Sequence, residues 1–398
     1  MTRRILITGA SIAGNTAAWW LGRSGFDVTV VERAPAFRDG GQNVDIRGVG
    51  REVLRRMDLE QAALDAGTGE TGTAWVDARG RIVAKVVAPP GEDGPTAEME
   101  ILRGDLAKLI HAPAQQHATF RFDDWITALD DSAESVRVTF HSGTTERFDH
   151  VLIAEGVGSA TRELVFPGDN DPRWMDMLCA YFTIPGQADD DRLWRWYTAT
   201  ERRSVSLRPD PYGTARATLT ALQQPGDEQD WPRERQQAWL RERFADAGWQ
   251  TPRVLAHMAT TDDFYFDVLR QVRMPRWSKG RVVLLGDAAW CVTPLGGVGA
   301  TLAVTGAYVL AGELALQDDA RAAYDAYERA MRPMVEQAQG IPKFGPRLLH
   351  PSTRAGIAVL HRVLAVATRP GLIKLFSRVF ASKPKTPDLS RYAALPKR

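Results

Sequence analysis

The chain has 398 residues, of which 44% are hydrophobic and 25% charged, as in ordinary globular proteins of one or two domains. The formal net charge is +1 with both signs interspersed, which argues against nucleic acid as a partner. Its two cysteines, Cys179 and Cys291, are too few for a disulfide framework and are not spaced as zinc ligands. We therefore predict no metal site, and a cytoplasmic location without a signal peptide.

The first 32 residues have the order of a βαβ unit. A strand, a turn, a helix and a second strand are predicted at residues 5–8, 9–14, 16–24 and 28–31. Such a turn places bare backbone and a helix N-terminus against a pyrophosphate, and Glu32 stands where a carboxylate binds a ribose. The fingerprint reads Gly9, Ser11 and Gly14, with serine in the middle position. The segment predicts a dinucleotide site, with a plain strand-to-helix turn as the alternative.

The segment ITGAS also fits the opening of an NAD(P)-dependent short-chain dehydrogenase. That family needs glycines where Ala13 and Asn15 stand, and its catalytic tyrosine has a lysine four residues on. None of the eight tyrosines of this chain has such a lysine. The sequence therefore disfavours this alternative.

Candidate ligand contacts follow in a glycine-rich loop after residue 33: Arg38, Asn43, Asp45 and Arg47. A polar surface loop is the alternative interpretation of these four residues. A hairpin is predicted to turn at Arg79 and Gly80, and a helix to begin near Arg103. Arg103 is a candidate cofactor contact or a solvated charge at the helix end.

Residues 176–270 have short alternating stretches typical of antiparallel strands, and Trp194 and Trp196 lie in one of them. Aromatic residues in such strands pack in a core or line an apolar ligand pocket. The order of the segments predicts a nucleotide domain that is interrupted by a β-rich domain and completed by residues 281–330.

The returning segment contains RVVLL followed by GDAAWCVTPLGGVG. Asp287 ends an apolar strand, Pro294 stiffens a turn, and three glycines expose backbone before a helix predicted from about Ala300. These residues interrupt the apolar run well before the roughly 18 residues that a membrane span requires. The segment is therefore predicted to be protein core and no membrane span is expected.

Taken in order, four segments resemble the class A flavoprotein monooxygenases, the family of para-hydroxybenzoate hydroxylase, polyketide hydroxylases and tetracycline-inactivating monooxygenases. They are the first glycine turn with Glu32 and Arg33, the LRGDL stretch with Arg103, EGxxSxxR at residues 155–162, and GDAAWCVTPLGGVG. The resemblance implies an α/β fold: a Rossmann-like FAD-binding domain with an inserted β-sheet substrate domain and a C-terminal helical segment. It assigns residues 1–70, 100–175 and 271–335 to the FAD-binding domain, 71–99 and 176–270 to the substrate domain, and 336–398 to C-terminal helices that bridge the domains.

The same resemblance implies the site residues. FAD contacts are expected at Gly9, Ser11, Ile12, Ala13, Gly14, Glu32, Arg33, Arg38, Arg103, Gly286, Asp287, Pro294, Gly297, Val298, Gly299 and Ala300. Substrate contacts are expected at Asn43, Asp45, Arg47, Trp194, Trp196, Trp290, Pro294 and Leu295. No catalytic side chain is assigned, because the flavin carries the chemistry.

The implied reaction begins when NADPH or NADH reduces FAD. O₂ then forms a flavin C4a-hydroperoxide, which oxygenates, and most simply hydroxylates, a bulky aromatic or polyketide-like small molecule. A flavoprotein oxidase or reductase and a Baeyer–Villiger oxygenase on the same fold stay open, as does a low-turnover flavin- or ligand-binding protein. A monomer and a dimer are both compatible with the sequence.

Four positions depart from the family pattern. Trp290 replaces the usual histidine, Thr301 an asparagine and Gly306 an aspartate. Glu155 replaces the aspartate that the family associates with FAD and NAD(P)H binding, and it moves that charge outward by one methylene. Tryptophan in place of histidine at position 290 predicts an unusually apolar active site. After residue 336, two amphipathic helical stretches are predicted around Pro370, with a helix lying on a membrane surface as the alternative.

Overall fold

The computed structural model describes residues 2–87, 97–132, 134–342, 344–369, 371, 385–393 and 395. Two β-sheets, of six and seven strands, form the main layers, and each packs against its own apolar core. Smaller sheets of three and two strands lie beside them. The mixture of parallel strands, helices and a largely antiparallel sheet confirms the predicted α/β fold.

The strands are β1 (Arg4–Thr8), β2 (Asp27–Glu32), β3 (Asn43–Asp45), β4 (Gly72–Val76), β5 (Ile82–Val87), β6 (Glu100–Leu102), β7 (Thr119–Phe122), β8 (Ile126–Asp131), β9 (Val136–Phe140), β10 (Thr145–Phe148), β11 (His150–Ile153), β12 (Arg173–Pro185), β13 (Leu193–Ala199), β14 (Arg203–Pro209), β15 (Thr214–Leu222), β16 (Tyr265–Gln271), β17 (Ser278–Lys279) and β18 (Val282–Leu284). The helices are α1 (Ile12–Arg23), α2 (Val49–Arg56), α3 (Glu60–Asp65), α4 (Arg103–Ala114), α5 (Ala160–Val165), α6 (Arg233–Phe244), α7 (Thr251–Met258), α8 (Asp287–Trp290), α9 (Gly299–Leu316), α10 (Ala320–Gln339), α11 (Gly345–Leu349) and α12 (Arg354–Ala367). Short 3-10 turns lie at Glu228–Asp230, Pro294–Gly296 and Leu389–Tyr392.

The six-stranded sheet has the order β17-β18-β11-β1-β2-β7, and every pair is parallel except β17 with β18. Ile5, Leu6 and Ile7 of β1 are fully buried, as expected of a central strand that is covered on both faces. The chain leaves β1 towards β2 on one side and later returns to β11 on the other. Ligands of such sheets bind where the strand order reverses, outside the carboxyl ends of the strands.

The seven-stranded sheet has the order β16-β12-β15-β14-β13-β4-β5. The predicted hairpin joins β4 to β5, and Gly80 at its turn has a φ of +79°, a conformation that favours glycine. Alternate residues such as Phe182, Val205 and Ala217 pack in one core with α6 and α7. The opposite face, called the inner face here, carries Arg208, which reaches Glu100 of β6. The inner face is therefore directed at the layer that contains the six-stranded sheet.

Helix α9 is apolar around its whole circumference. By length and composition it could cross a membrane, but 72% of it is buried inside the protein, where it packs against α1, α2 and α10. A helix that is hydrophobic all round and packed on several sides is the core helix of a large protein. This agrees with the prediction for this segment.

The C-terminal part differs in detail from the prediction. Helix α10 runs from Ala320 to Gln339 and so crosses the boundary predicted at residue 336. Helix α12 packs against β5 of the seven-stranded sheet, and Tyr392 packs against Tyr308 of α9. Most of the second predicted amphipathic stretch lies outside the described residues. The division into domains stays a prediction.

Candidate active site

The first glycine turn connects β1 to α1, which begins at Ile12, four residues before the predicted start. Gly9 has a φ of +102°, and a Cβ there would lie 2.5 Å from the carbonyl oxygen of Ala154. A Cβ at Gly14 would lie 1.9 Å from the carbonyl oxygen of Gly9. The close contacts require glycine at both positions. The first backbone N–H groups of α1 have no partner within the helix and are available to an anion.

Ser11, in place of the middle glycine, has a partner of its own. Its Oγ accepts a hydrogen bond of 2.9 Å from Nη1 of Arg103, the first residue of α4. Arg103 also donates to the carbonyl oxygen of Gly40, and a Cβ at Gly41 would lie 2.4 Å from its Nε. Burial, and then the nearby Arg38, lower the pKa of Arg103, while Asp287 and Glu32 oppose that shift. Arg103 is therefore a half-buried cation between the first glycine turn and the loop of Gly40 and Gly41, which argues against a fully solvated charge.

Glu32 ends β2 beside the same turn. Its Oε2 accepts from the backbone N–H of Ala10 and its Oε1 from that of Ala34, both at 2.9 Å. These two bonds fix the carboxylate at the sheet edge where a ribose is expected, with lone pairs still available on each oxygen. Arg33 and Arg38 are exposed nearby.

The segment with Asp287 packs directly on the first turn. Gly286 has a φ of +64°, and a Cβ there would lie 2.9 Å from Cβ of Ala13. The Asp287 side chain is open to solvent on one side and receives no hydrogen bond from a described residue. Enclosure by surrounding protein, and then Asp267, raise the pKa of Asp287 to about 6, while Arg103 opposes the shift. The fold therefore places an uncommitted carboxylate opposite Arg103.

The loop after α8 has an unusual backbone. Thr293 has a φ of +66° and a ψ of 160°, a region that is occupied almost only by glycine. Pro294 begins a 3-10 turn, Gly297 is left-handed, and α9 starts at Gly299. Pro294 and Leu295 are exposed at the surface of the loop, as a ligand contact requires. Val298 and Ala300 stand beside the N-terminus of α9, where the helix dipole favours negative charge.

Trp290 does not lie at the surface of this site. Its side chain is 1% exposed and packs on Trp277 at a centroid distance of 4.5 Å and on Tyr327 at 6.0 Å. A Cβ at Gly306 would lie 2.9 Å from the far ring of Trp290. This position in the core argues against the predicted contact of Trp290 with a substrate. Two departures from the family pattern, Trp290 and Gly306, are therefore one packing feature.

The predicted substrate contacts of the first loop are engaged with protein. Asp45 forms an ion pair of 2.7 Å with Arg47, and Oγ1 of Thr301 accepts from the backbone N–H of Arg47 at 3.0 Å. Asn43 donates through Nδ2 to Glu100 and sits in a short strand that the sequence did not predict. Thr301 is another departure from the family pattern, and it holds the loop of Asp45 and Arg47 against α9.

Glu155 is fully engaged within the protein. Its carboxylate accepts hydrogen bonds from Thr8 Oγ1, Ser159 Oγ, and both the backbone N–H and the hydroxyl of Thr161, at 2.5–3.0 Å. Ser159 in turn caps α5. The longer side chain of glutamate therefore ties β1 to the start of α5.

The sequence prediction missed a buried charged group between the layers. Arg208 of β14 forms ion pairs with Glu70 at 2.9 Å and Glu100 at 2.7 Å. Its guanidinium lies 3.9 Å from the ring centroid of Trp194, so that predicted substrate contact is partly covered. One sequence signal could have revealed this group. Polar and apolar residues alternate along β14, which places Arg208 on the same face as Ser204 and Ser206.

These features fit FAD. The first glycine turn packs against the loop of residues 286–299, called the second glycine turn here. The two turns present backbone N–H groups after β1, where a pyrophosphate would need them, and at the start of α9, where a flavin ring would need them. Glu32 and Asp287 supply acceptors for ribose and ribityl hydroxyls, and Arg103 supplies a half-buried cation on which both carboxylates act electrostatically. A cavity of about 360 Å³ is lined by residues of β13, β14 and β15 and by charged residues including Asp190, Arg192 and Asp210.

Comparison with known proteins supports this assignment. Residues 2–340 match the family described as FAD binding domain. The chain is 38% identical over 343 residues to an uncharacterised protein of Mycobacterium tuberculosis, covering 85% of this chain and 92% of that protein. It is 32% identical over 399 residues to an FAD-dependent monooxygenase of Sarocladium schorii, covering 91% and 92%. The crystal structure of a tetracycline destructase matches with a TM-score of 0.79 and 30% identity, covering 96% of this chain and 100% of that one. The chain therefore belongs to the FAD binding domain family and is a flavin-dependent oxidoreductase of the class A monooxygenase type.

Proposed function

We propose that this enzyme uses NADPH or NADH and O₂ to insert one oxygen atom, most simply as a hydroxyl, into a bulky aromatic or polyketide-like small molecule. Bound FAD would supply the redox chemistry by accepting a hydride from the reductant and activating O₂. The name of one matched structure, a tetracycline destructase, supports a multi-ring substrate. The cytoplasmic location and the oxygenation route expected from the sequence belong to the same proposal.

In this proposal the two layers have separate tasks. The layer of the six-stranded sheet would hold FAD through the two glycine turns, with Glu32 at the ribose, Asp287 at the ribityl chain and Arg103 between them. The N-terminus of α9 would favour negative charge on the flavin ring through its helix dipole. The inner face of the seven-stranded sheet would cover the substrate and keep water from the reacting atoms.

The observation that carries the proposal is a contact of the inner face with the loop beside Arg103: Nη1 of Arg216 on β15 donates to the carbonyl oxygen of Gly41 at 3.5 Å. Tyr265 and Asp267 of β16 lie on the same inner face, and Asp267 contributes to the raised pKa of Asp287. Tyr265 is close enough to Arg103 to act on its charge. A small molecule on the inner face would therefore lie next to the groups that fit FAD.

Purified protein should be yellow, or should become so on reconstitution with FAD. A panel of mono- and polycyclic phenols should contain compounds that stimulate NADPH or NADH oxidation and gain one oxygen by mass spectrometry. A protein that takes up no FAD would contradict the proposal. FAD binding with no stimulation by any phenol would instead favour the low-turnover flavin-binding alternative.

A further inference from the structure

One row of side chains crosses six strands of the seven-stranded sheet. Direct cross-strand pairs join Trp75 to Trp196, Trp196 to Ser206, Ser206 to Thr218, Thr218 to Tyr181, and Tyr181 to Tyr265. Because neighbouring strands are about 4.8 Å apart, the five steps span roughly 24 Å. These six residues are called the wall row below.

The wall row belongs to the inner face. In each strand at least one neighbour of the wall-row residue, such as Val205 and Leu207 beside Ser206, packs in the core with α6 and α7. Successive side chains of a strand point to opposite faces. The wall row therefore points towards the nucleotide-binding layer, as Arg208 of the same strand does.

The middle of the wall row is small and polar, whereas its ends are aromatic. Ser206 and Thr218 stand between Trp196 and Tyr181, and neither hydroxyl forms a hydrogen bond with a described residue. In the next row, by contrast, the hydroxyl of Thr220 contacts Sγ of Cys179 at 3.6 Å. Ser206 is 2% exposed and Thr218 is half-buried, and a polar group that is buried without a partner is suited to a ligand.

One end of the wall row lies at the cofactor residues. Tyr265 stacks on Tyr181 at a centroid distance of 6.3 Å and is within electrostatic reach of both Arg103 and Asp287. The small section between Trp196 and Tyr181 spans three strand spacings, roughly 14 Å. This length suits several fused rings better than a single ring.

We propose that Ser206 and Thr218 determine the size and polarity of the substrate. A planar molecule of several fused rings would lie across β14 and β15 between Trp196 and Tyr181, with its oxygen substituents hydrogen-bonded to the two hydroxyls. This inference rests on the proposed function, because it deepens the description of the substrate of the same site.

The test measures binding to the FAD-loaded enzyme by quenching of flavin fluorescence. The probes are phenol, with one ring, and tetracycline and alizarin, with several. Ser206→Phe fills the small section and should weaken binding of both multi-ring probes at least 10-fold while leaving phenol within about 2-fold. Thr218→Val keeps the shape and should weaken the multi-ring probes by roughly 3- to 10-fold through the lost hydrogen bond.

Thr220→Val is the matched control, because it makes the same change one row away and should leave all affinities unchanged. Three results would overturn the inference: wild-type enzyme that binds phenol as tightly as the multi-ring probes, wild-type enzyme that binds neither multi-ring probe, or Ser206→Phe with wild-type affinities. Enzyme that binds the probes as expected but never consumes NADPH or NADH with any phenol would contradict the proposed function alone.

Discussion

At the scale of single residues, Asp287 has the most direct consequence for the cofactor. Its carboxylate has no donor among the described residues, and its pKa is raised to about 6 by enclosure within the protein and by Asp267. An ionised carboxylate accepts hydrogen bonds from hydroxyl groups more strongly than a neutral acid does. The charge state of Asp287 should therefore control how tightly FAD is held.

Asp287→Asn should weaken FAD binding by roughly 10- to 100-fold, because a hydrogen bond to a charged acceptor contributes about 1.5–3 kcal/mol. In the wild type, affinity should be full above the pKa of about 6 and should fall as the pH drops through it. The pH dependence should be absent in the variant. Titration of apoprotein with FAD from about pH 5 to about pH 8 measures both effects, and an unchanged affinity in Asp287→Asn would remove this carboxylate from the site.

Trp290 and Gly306 give a second prediction at this scale. Gly306→Ala should destabilise the protein by about 1–3 kcal/mol, because its Cβ would crowd the far ring of the indole. In a Trp290→Phe background, where that ring is missing, Gly306→Ala should lower the free energy of unfolding much less. Urea unfolding of the two single variants and the double variant measures the coupling, and additive effects would show that the two positions are independent.

At the scale of secondary-structure elements, the start of α4 positions Arg103 through backbone contact. A Cβ at Gly104 would lie 1.5 Å from the carbonyl oxygen of Asp39, in the loop that also supplies Gly40 to Arg103. Alanine normally favours a helix over glycine by about 1 kcal/mol. At this position the collision with the loop must dominate.

Gly104→Ala should therefore lower both the melting temperature and the affinity for FAD, although residue 104 has no side chain to bind a ligand. Gly158→Ala is a suitable control, since a Cβ at Gly158 meets open space. Calorimetry and FAD titration of the two variants provide the comparison. A more stable Gly104→Ala protein would mean that helix propensity outweighs the contact.

The bounds of the strands and helices show how much of the fold can be predicted from the sequence. The sequence predicts β1 and the helix after residue 299 nearly at their observed bounds, because apolar runs and glycines are local signals. It predicts the first glycine turn too long, because α1 already begins at Ile12. The strand Asn43–Asp45 was missed, because its partner β6 is distant in the chain and the surrounding glycines suggest a loop. Trp290 was misplaced for a similar reason: nothing in the motif itself shows that Trp277 and Tyr327 enclose it.

At the scale of the whole molecule, a buried charged group joins the two layers. Arg208 of the seven-stranded sheet faces two carboxyls, Glu70 and Glu100, whose side chains are 0% and 3% exposed. Burial, opposed by Arg208 and reinforced by Glu100, raises the pKa of Glu70 to about 8. The contact between the layers is therefore most favourable when one of these carboxyls carries a proton.

Because the pKa of Glu70 is higher in the folded chain, the folded state gains stability when this group is protonated and loses it as the pH rises towards and through about 8. Glu70→Gln, which is neutral at every pH, should flatten the fall in melting temperature between about pH 5 and about pH 9. Glu163→Gln removes an exposed carboxyl and should keep the wild-type trend. A wild-type trend in Glu70→Gln would show that this residue does not titrate in that range.

The wall row has a consequence for how such an enzyme could change its preference among compounds. Each of its six residues comes from a different strand, and none of them belongs to the sheet that carries the glycine turns. A library that varies these six codons would therefore leave the proposed redox half of the molecule unaltered. Homologous recombination between related sequences could also exchange the six positions separately, because they are spread from residue 75 to residue 265. The choice of compound can thus change by single, separable steps while the proposed oxygenation stays the same.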